Sequence, residues 1–544
     1  MNKNEKPRPE IGKSFIELVT EGMYEDCRDI YREYIQNSAD AIDKAEKLNL
    51  YDSKEKPRIE IIIDKENRKI IIEDNGSGIK SNDTQEVLLH TAKSNKEIGV
   101  EKGFRGIGKL HGLAYCDYLL FETSYKGEKE KTIMHWDSKK LKSILSNASK
   151  KEEAWEVIDK VTDFDFEVEK AEEHYFKVIL ENVTNDFLLE VENIKEYLSM
   201  VAPVPLPVGF SLKNDIYQFI KDNKYPLDEY IINLNNEQLF KAYTTTMYTY
   251  NEKGDRLRLK DKNGKDYEIF DIRTFEMKLP NSELLGWGWY GISEFPMQIP
   301  EKGNPARGLR LRKHNIQIGT ENTLVSLHRE DRGNFYFFGE IHAVHKDLIP
   351  NGRRDNFKTE NETYKFFTKW LKNFFHNELY KIYYEASKIR NIKQREKELY
   401  DYGKKLNEGR FQSKEEKKKI EESFENKKKK VEQDKKEKEK IETKVKDSKD
   451  ETSKVVGQIY ERIFNDTDKR DETEKHVESL PEPGKKKPKY RAFEKFPFLE
   501  RRERKLITLI YETIDKVLQK NMAENLKDKI DEEIESKYHV GGLK

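Results

Sequence analysis

The stretch Pro57–Ile79, PRIEIIIDKENRKIIIEDNGSGI, restricts the fold more than any other. Two β-branched runs flank the polar turn Asp64–Arg68, which predicts a pair of neighbouring strands. The second run ends on Asp74, followed by Gly76 and Gly78. A carboxylate at a strand end followed by two glycines suits either a tight turn or a floor that a ligand approaches closely. Upstream, Phe15, Leu18, Val19, Met23, Ile30, Ile35 and Ile42 recur at mostly helical spacing, so a helix is expected from about Ile11 to Leu48. Within it, REYIQNSADA sets Glu33, Asn37 and Asp40 at i, i+4 and i+7, on one face. Downstream come LLHTAKSNK (88–96) and GFRGIGKLHG, with Gly103, Gly106, Gly108 and Gly112. A glycine-rich loop entering a helix turns backbone N–H groups toward an anion. DYLLFETSYKG and YFKVILENV read as further strands and complete an α/β unit that ends near Thr184.

A chain of 544 residues exceeds what one core supports. Charged residues reach 38% against 35% hydrophobic, with a mean hydropathy of −0.96, so part of the chain must be a solvated rod or tract. Lysine plus arginine equals aspartate plus glutamate at 103 each, which excludes a global basic field. Two cysteines, Cys27 and Cys116, exclude a disulfide framework and read as small buried hydrophobes. The start lacks a signal-peptide pattern and no apolar run suits a bilayer, so a cytoplasmic protein without a membrane partner is expected. The expected domains are 1–184, a second α/β unit at 185–390, a charged helical segment at 391–450, and a helical region at 451–544 with a Pro/Lys-rich linker at 480–489. The second unit carries IINLN, GWGWYGIS, GLRLRKHNIQIG and NFYFFGEIHAV as strands. His342 and His345 read as strand-surface residues, and GWGWYG as core. Ile392, Leu399 and Leu406 sit a heptad apart, favouring a coiled coil with Gly403 and Gly409 as breaks. Leu506, Ile510, Ile514 and Val517 form one apolar seam of a later helix, expected to pack on the following helix or on a partner subunit.

Several motifs in one order resemble the GHKL ATPase superfamily of gyrase, heat-shock chaperone, histidine kinase and mismatch-repair ATPases. REYIQNSADA resembles its N-box, DNGSGI its adenine box and GFRGIG its phosphate loop. The resemblance implies an α+β chain with a Bergerat-type ATP-binding α/β sandwich, a transducer-like middle domain and a helical C-terminal part. It implies ATP and Mg²⁺ as cofactors. Glu33 would activate the attacking water, Asn37 would hold Mg²⁺ and Asp40 would face the pocket. Asp74 would read adenine, with Gly76, Gly78, Lys93, Gly103, Gly106, Ile107, Gly108 and Lys109 completing the nucleotide contacts. DLIPNGRRDNF (347–357) resembles the chaperone middle-domain loop that sends a basic residue to the γ-phosphate, which singles out Arg354, with Arg353 as its alternative. The layout implies a homodimer with a conformational, chaperone-like output on a protein client. The alternative is a clamp on DNA, similar to microrchidia or mismatch-repair ATPases, in genome maintenance or phage defence, with NPARGLRLRKH (304–314) as its basic surface. One departure is EEHYFKVIL, where Tyr175 and Phe176 stand in place of the family's Gly-Thr.

Overall fold

The computed structural model describes residues 10–20, 26–90, 102, 106, 108–147, 151–260, 264–411, 413–447, 450–464 and 489–539. It divides into two compact units, Met1–Ser293 with Met297–Tyr380, and Glu294–Pro296 with Lys381–Lys544.

The first unit opens with helices α1 (Ser14–Thr20) and α2 (Asp29–Lys47), so the single long helix expected from Ile11 to Leu48 is two. Its larger sheet has eight strands: β1 (Ile59–Asp64), β2 (Lys69–Asp74), β3 (Tyr118–Ser124), β4 (Glu130–Asp137), β5 (Thr162–Val168), β6 (Tyr175–Glu181), β7 (Ile232–Leu234) and β8 (Glu237–Gln238). They lie in the order β5-β4-β3-β6-β2-β1-β7-β8. Strand alternation explains the site's floor. In β2 the pleat that buries Ile70 and Ile72 carries Asp74 to the same face, where it is also buried. Helix α2 covers that face with Ile30, Tyr31, Ile35, Ala39 and Ile42. Burying each isoleucine contributes roughly 1.5–3 kcal/mol.

β7, the strand IINLN expected in the second domain, pairs in parallel with β1 instead. The N-terminal sheet therefore extends past the expected boundary at 184/185 to Gln238. Sequence alternation marks a strand but not which sheet receives it.

The other α-helices among the described residues up to this point are α3 (Ser81–Leu89), α4 (Ser138–Ser146), α5 (Ala154–Val161), α6 (Val191–Val201) and α7 (Lys213–Asn223). A small ribbon, β9 (Tyr248–Tyr250) and β10 (Arg256–Arg258), precedes a five-stranded sheet. That sheet runs β11 (Asp271–Lys278), β12 (Leu284–Ile292), β15 (Phe338–Ala343), β13 (Gly308–Lys313) and β14 (Ile316–Gln317) in spatial order. Trp287 and Trp289 of GWGWYG are buried, as expected of a core strand.

Two expectations fail in this sheet. β13, the heart of the stretch offered as a basic surface, is buried along its whole length. Arg312 is fully buried, with Nε 2.6 Å from Glu340 Oε1 and Nη2 donating to the Met200 carbonyl at 2.7 Å. His342 is not on the surface: it stacks on Trp287 with centroids 3.9 Å apart and lies 3.0 Å from Glu340 Oε2. Helix α8 (Glu362–Phe374) closes this part.

In the second unit, α9 (Tyr380–Glu408) and α10 (Lys414–Asp447) form a hairpin within one chain. Leu399, Phe424 and Val431 make its core, and Arg395–Asp434 (2.5 Å) and Lys438–Glu396 (3.7 Å) bridge the two helices. Gly409 adopts φ +69° and breaks the rod, whereas Gly403 lies inside α9 and does not. After α11 (Glu451–Phe464) come α12 (Arg491–Lys495), α13 (Arg501–Val517) and α14 (Lys520–His539). The expected linker at 480–489 lies outside the described residues except at its last position. The seam of α13 divides. Ile507, Tyr511 and Ile514 pack with Ile530 and Ile534 of α14, while Leu506, Ile510 and Val517 stay exposed. Among the described residues, no helix is long and apolar enough to cross a membrane.

Candidate functional site

The site lies where α2 crosses the end of β2. Asp74 is 1% exposed, and its Oδ1 accepts from the Gly76 N–H at 2.9 Å. The chain then passes under α2, with Ser77 N donating to the Ala41 carbonyl at 3.0 Å. A Cβ on Gly76 would fall 2.7 Å from Ala41. Gly78 has φ +60°, and a Cβ there would strike the Ser124 carbonyl oxygen at 1.8 Å. Both glycines are therefore demanded by backbone approach, not only by turn preference. Tyr175, the departure from the family pattern, turns its hydroxyl away to Glu122 at 2.7 Å, and its carbonyl accepts from Thr123 Oγ1 at 3.0 Å.

On α2, Glu33 is buried, Asn37 half-buried and Asp40 buried. Glu33 faces the 3₁₀ turn Gly108–Ala114, and a Cβ on Gly108 would fall 2.5 Å from Glu33 Oε2. Its Oε1 lies 3.3 Å from Arg354 Nε and 3.7 Å from Arg32 Nε, yet makes no hydrogen bond. Asp40 Oδ1 accepts from the Lys102 N–H at 2.8 Å. Lys109 turns aside: its Nζ donates to the Val87 and His90 carbonyls at the end of α3, at 2.7 and 2.8 Å. Burial pulls its ammonium down to about 8. Gly106 is described and has φ +70°. Lys93, Gly103 and Ile107 lie outside the described residues.

Arg354 arrives from the loop that follows β15. It is buried with φ +57°, in the left-handed region that costs a non-glycine residue on the order of 1 kcal/mol. The loop holds that conformation: Arg354 N donates to the Asn351 carbonyl, and the Arg354 carbonyl accepts from Gly319 N at 2.8 Å. Asn351 Nδ2 donates to Asp355 Oδ1 at 2.5 Å. Arg354 Nη2 donates to the Lys102 carbonyl at 2.6 Å. Arg353 is exposed, and its carbonyl lies 3.4 Å from Arg32 Nη2. Of the two adjacent arginines, Arg354 is thus the one against Glu33.

Sequence reasoning passed over Arg32, His111 and Lys102. Arg32 pairs with Asp29 at 3.0 Å and leans on Glu33. His111 is 1% exposed, and burial together with the Arg32 charge lowers it to about 3. Lys102 is a lone lysine before a glycine-rich run, and only its position there could have flagged it.

Comparison with known proteins gives a consistent picture. Residues 28–167 match the family described as histidine kinase-, DNA gyrase B- and HSP90-like ATPases. The chain is similar to the chaperone protein HtpG of Fusobacterium nucleatum, 25% identical over 255 residues, 43% of this chain and 42% of that one. It is 29% identical over 178 residues to the HtpG of Buchnera aphidicola, covering 29% and 28% of the two chains. With the HtpG of Campylobacter jejuni it shares 27% over 198 residues, 33% and 32%. The chain spans less than half the length of the curated relatives it matches.

Proposed function

Given that the N-terminal domain belongs to the GHKL ATPase superfamily, with a heat-shock-chaperone-like relationship, we propose that this chain binds ATP with Mg²⁺ and hydrolyses it to drive a conformational output. The observation that carries the reading is Arg354, brought in from the second sheet's side to within 3.3 Å of Glu33 on α2. Phosphoryl transfer needs a positioned water and donors aimed at developing charge, and little covalent chemistry.

The residues fit the groups. The Gly108 cradle leaves room beside Glu33 that any side chain would fill, and Glu33 Oε1 is a buried acceptor without a hydrogen bond. Glu33 orients and deprotonates the attacking water. Arg354 pairs with Glu33 before the reaction and stabilises transition-state charge during it. Asp74 accepts from the adenine amino group. Gly76 and Gly78 admit the base, and Gly106 and Gly108 the phosphates. Asn37, one turn after Glu33, would hold Mg²⁺, whose charge would offset that of the phosphates. Lys93, Gly103 and Ile107 belong to the same nucleotide set. Lys109 acts indirectly, by fixing the end of α3.

The quaternary reading is a homodimer. Leu506, Leu509, Ile510 and Val517 leave an apolar face on the α13–α14 hairpin, which a second copy would cover. The output is chaperone-like, on a protein client. The DNA-clamp alternative loses the surface proposed for it, because β13 lies inside the sheet with Arg312 paired to Glu340.

Calorimetry of ATP binding with and without Mg²⁺, alongside phosphate release, tests the assignment. Asp74→Asn is expected to lose ATP binding, since a buried acceptor site is left mispaired. Asn37→Ala is expected to lose only the Mg²⁺-dependent part. Unchanged affinity in both variants overturns the pocket as drawn.

A further inference from the structure

Lys102 is 5% exposed, and its polar groups reach α2, the Arg354 loop and Asp228. Its N–H donates to Asp40 of α2. Its carbonyl accepts from Arg354 Nη2 at 2.6 Å. Its ammonium donates to Asp43 Oδ2 at 2.6 Å and lies 3.6 Å from Asp228 Oδ2. The Tyr230 ring sits below the ammonium with its centroid 5.3 Å away, and the Tyr230 hydroxyl donates to Asp43 Oδ1 at 2.6 Å. Burial opposes the charge on Lys102, but Asp228, Asp43 and Asp40 together hold its ammonium above the ordinary lysine value.

The chain of contacts continues past the junction. Asp228 Oδ2 lies 3.1 Å from His314 Nδ1, and the Asp228 carbonyl accepts from Asn315 Nδ2 at 2.7 Å. Asn315 Oδ1 accepts from Lys241 Nζ, which also donates to both Glu340 oxygens at 2.8 and 2.9 Å. Hydrogen bonds and ion pairs therefore run without a gap from α2 to the middle of the second sheet.

We propose that Lys102 is the positioning residue for Arg354: its side chain, clamped by Asp43 and Asp228, fixes the main-chain carbonyl that orients the guanidinium toward Glu33. The proposal rests on the ATPase reading above and deepens it. Two features argue against a role in packing alone. An apolar side chain of similar length would fill the space without the cost of a buried charge. The ammonium is also what lets Asp43 and Asp228 sit together, one from α2 and one from the segment that leads into the second sheet. Losing the charge sets those carboxylates apart and moves the carbonyl with them. The guanidinium then keeps its loop but loses its aim, and catalysis is sensitive to shifts on the order of 1 Å.

The test uses the full chain with Lys102→Met, Lys102→Arg, Asp228→Asn and the Lys102→Met/Asp228→Asn double variant. For each, ATP affinity is read by calorimetry and kcat by phosphate release. Lys102→Met is expected to keep ATP affinity within about threefold while kcat falls about tenfold or more. Lys102→Arg is expected to restore most of kcat. The double variant is expected to be no slower than Lys102→Met, because both break one linkage. A kcat within twofold of wild type in Lys102→Met, multiplicative losses in the double variant, or affinity and kcat falling together overturns the proposal. Hydrogen exchange without nucleotide separates this from failure of the ATPase reading. Amides of residues 228–230 and 314–316 are expected to exchange at least about fivefold faster in Lys102→Met. If wild type neither binds nor hydrolyses ATP, the ATPase reading falls; unchanged exchange overturns the linkage whatever ATP does.

Discussion

Two buried glutamates of the first unit, Glu340 and Glu33, are met by arginine in different ways. Glu340, in the middle of the second sheet, is met by Arg312 at 2.6 Å, by Lys241 at 2.8 and 2.9 Å and by His342 at 3.0 Å. Those neighbours hold its carboxyl well below the ordinary range against the opposing effect of burial. Glu33, on α2, is met by Arg354 at 3.3 Å and Arg32 at 3.7 Å, and its Oε1 has no hydrogen bond. Arg312 and Glu340 sit on paired strands of one sheet, whereas Glu33 and Arg354 come from distant parts of the chain. The first is tied from several sides, so exchanging a partner leaves buried charge stranded. The second keeps an acceptor in reserve beside a glycine, with an arginine held in a strained turn. Short distances and many partners mark a pair that serves the fold. Longer distances with an unused lone pair are what the proposed catalytic role asks of the other.

The difference can be attacked from both ends. Glu33→Ala should lower ATP turnover by about 10²–10⁴-fold, the usual loss on removing a general base, while the unfolding free energy moves by less than about 1 kcal/mol. Phosphate release and chemical denaturation read the two effects side by side. Glu340→Ala should behave the other way round, with stability falling by about 3–5 kcal/mol as Arg312 and Lys241 are left buried without their carboxylate. A denaturation midpoint close to wild type would show that the second sheet does not depend on that cluster.

Acid should expose the same network. Burial lowers His342 and His328 to about 4 and, with Arg32, His111 to about 3. The unfolded chain takes up these protons near the ordinary value of about 6.5, before the folded chain does. Stability is therefore fully present above about 6.5 and is lost as pH falls from there toward 4, by about 1.4 kcal/mol per pH unit for each histidine. Thermal melts across that window should show the loss, and His342→Phe should reduce the slope by about one proton. The smallest effect is expected at Arg258, whose pair with Asp266 at 3.1 Å lies on the exposed ribbon. Arg258→Ala should change stability by less than about 0.5 kcal/mol in the same denaturation assay.

The contrast between Arg258 and Arg312 also shows what the letters carried and what they did not. RLR occurs at 256–258 and again at 310–312, in one case on an exposed two-stranded ribbon and in the other inside a sheet. The same three letters do not separate the two, and Arg312 is buried against Glu340. The placement of the candidate site's motifs was legible because backbone constraints leave traces in sequence: Gly78 must be glycine under Ser124, and Asp74 must share the pleat of Ile70 and Ile72. Arg354 was legible through its loop, whose turn needs several residues in a fixed pattern. What sequence did not carry was long-range pairing. β7 joins β1 across some 170 residues, His342 lies under Trp287, and Lys102 ties Asp40 and Asp43 of α2 to Asp228. The rod's heptad spacing was visible, yet the choice of a hairpin within one chain came from Gly409 and cross-helix pairs such as Arg395–Asp434.

The central claim is that Glu33 and Arg354, supplied by separate parts of the first unit, act as one catalytic pair. A double-mutant cycle on single-turnover ATP hydrolysis, with Glu33→Gln, Arg354→Ala and both together, tests it most directly. Each single variant is expected to slow hydrolysis by about 10²-fold or more with ATP affinity retained, and the double variant to be little slower than Glu33→Gln alone. Losses that multiply in the double variant, or an Arg354→Ala enzyme as fast as wild type, would contradict it.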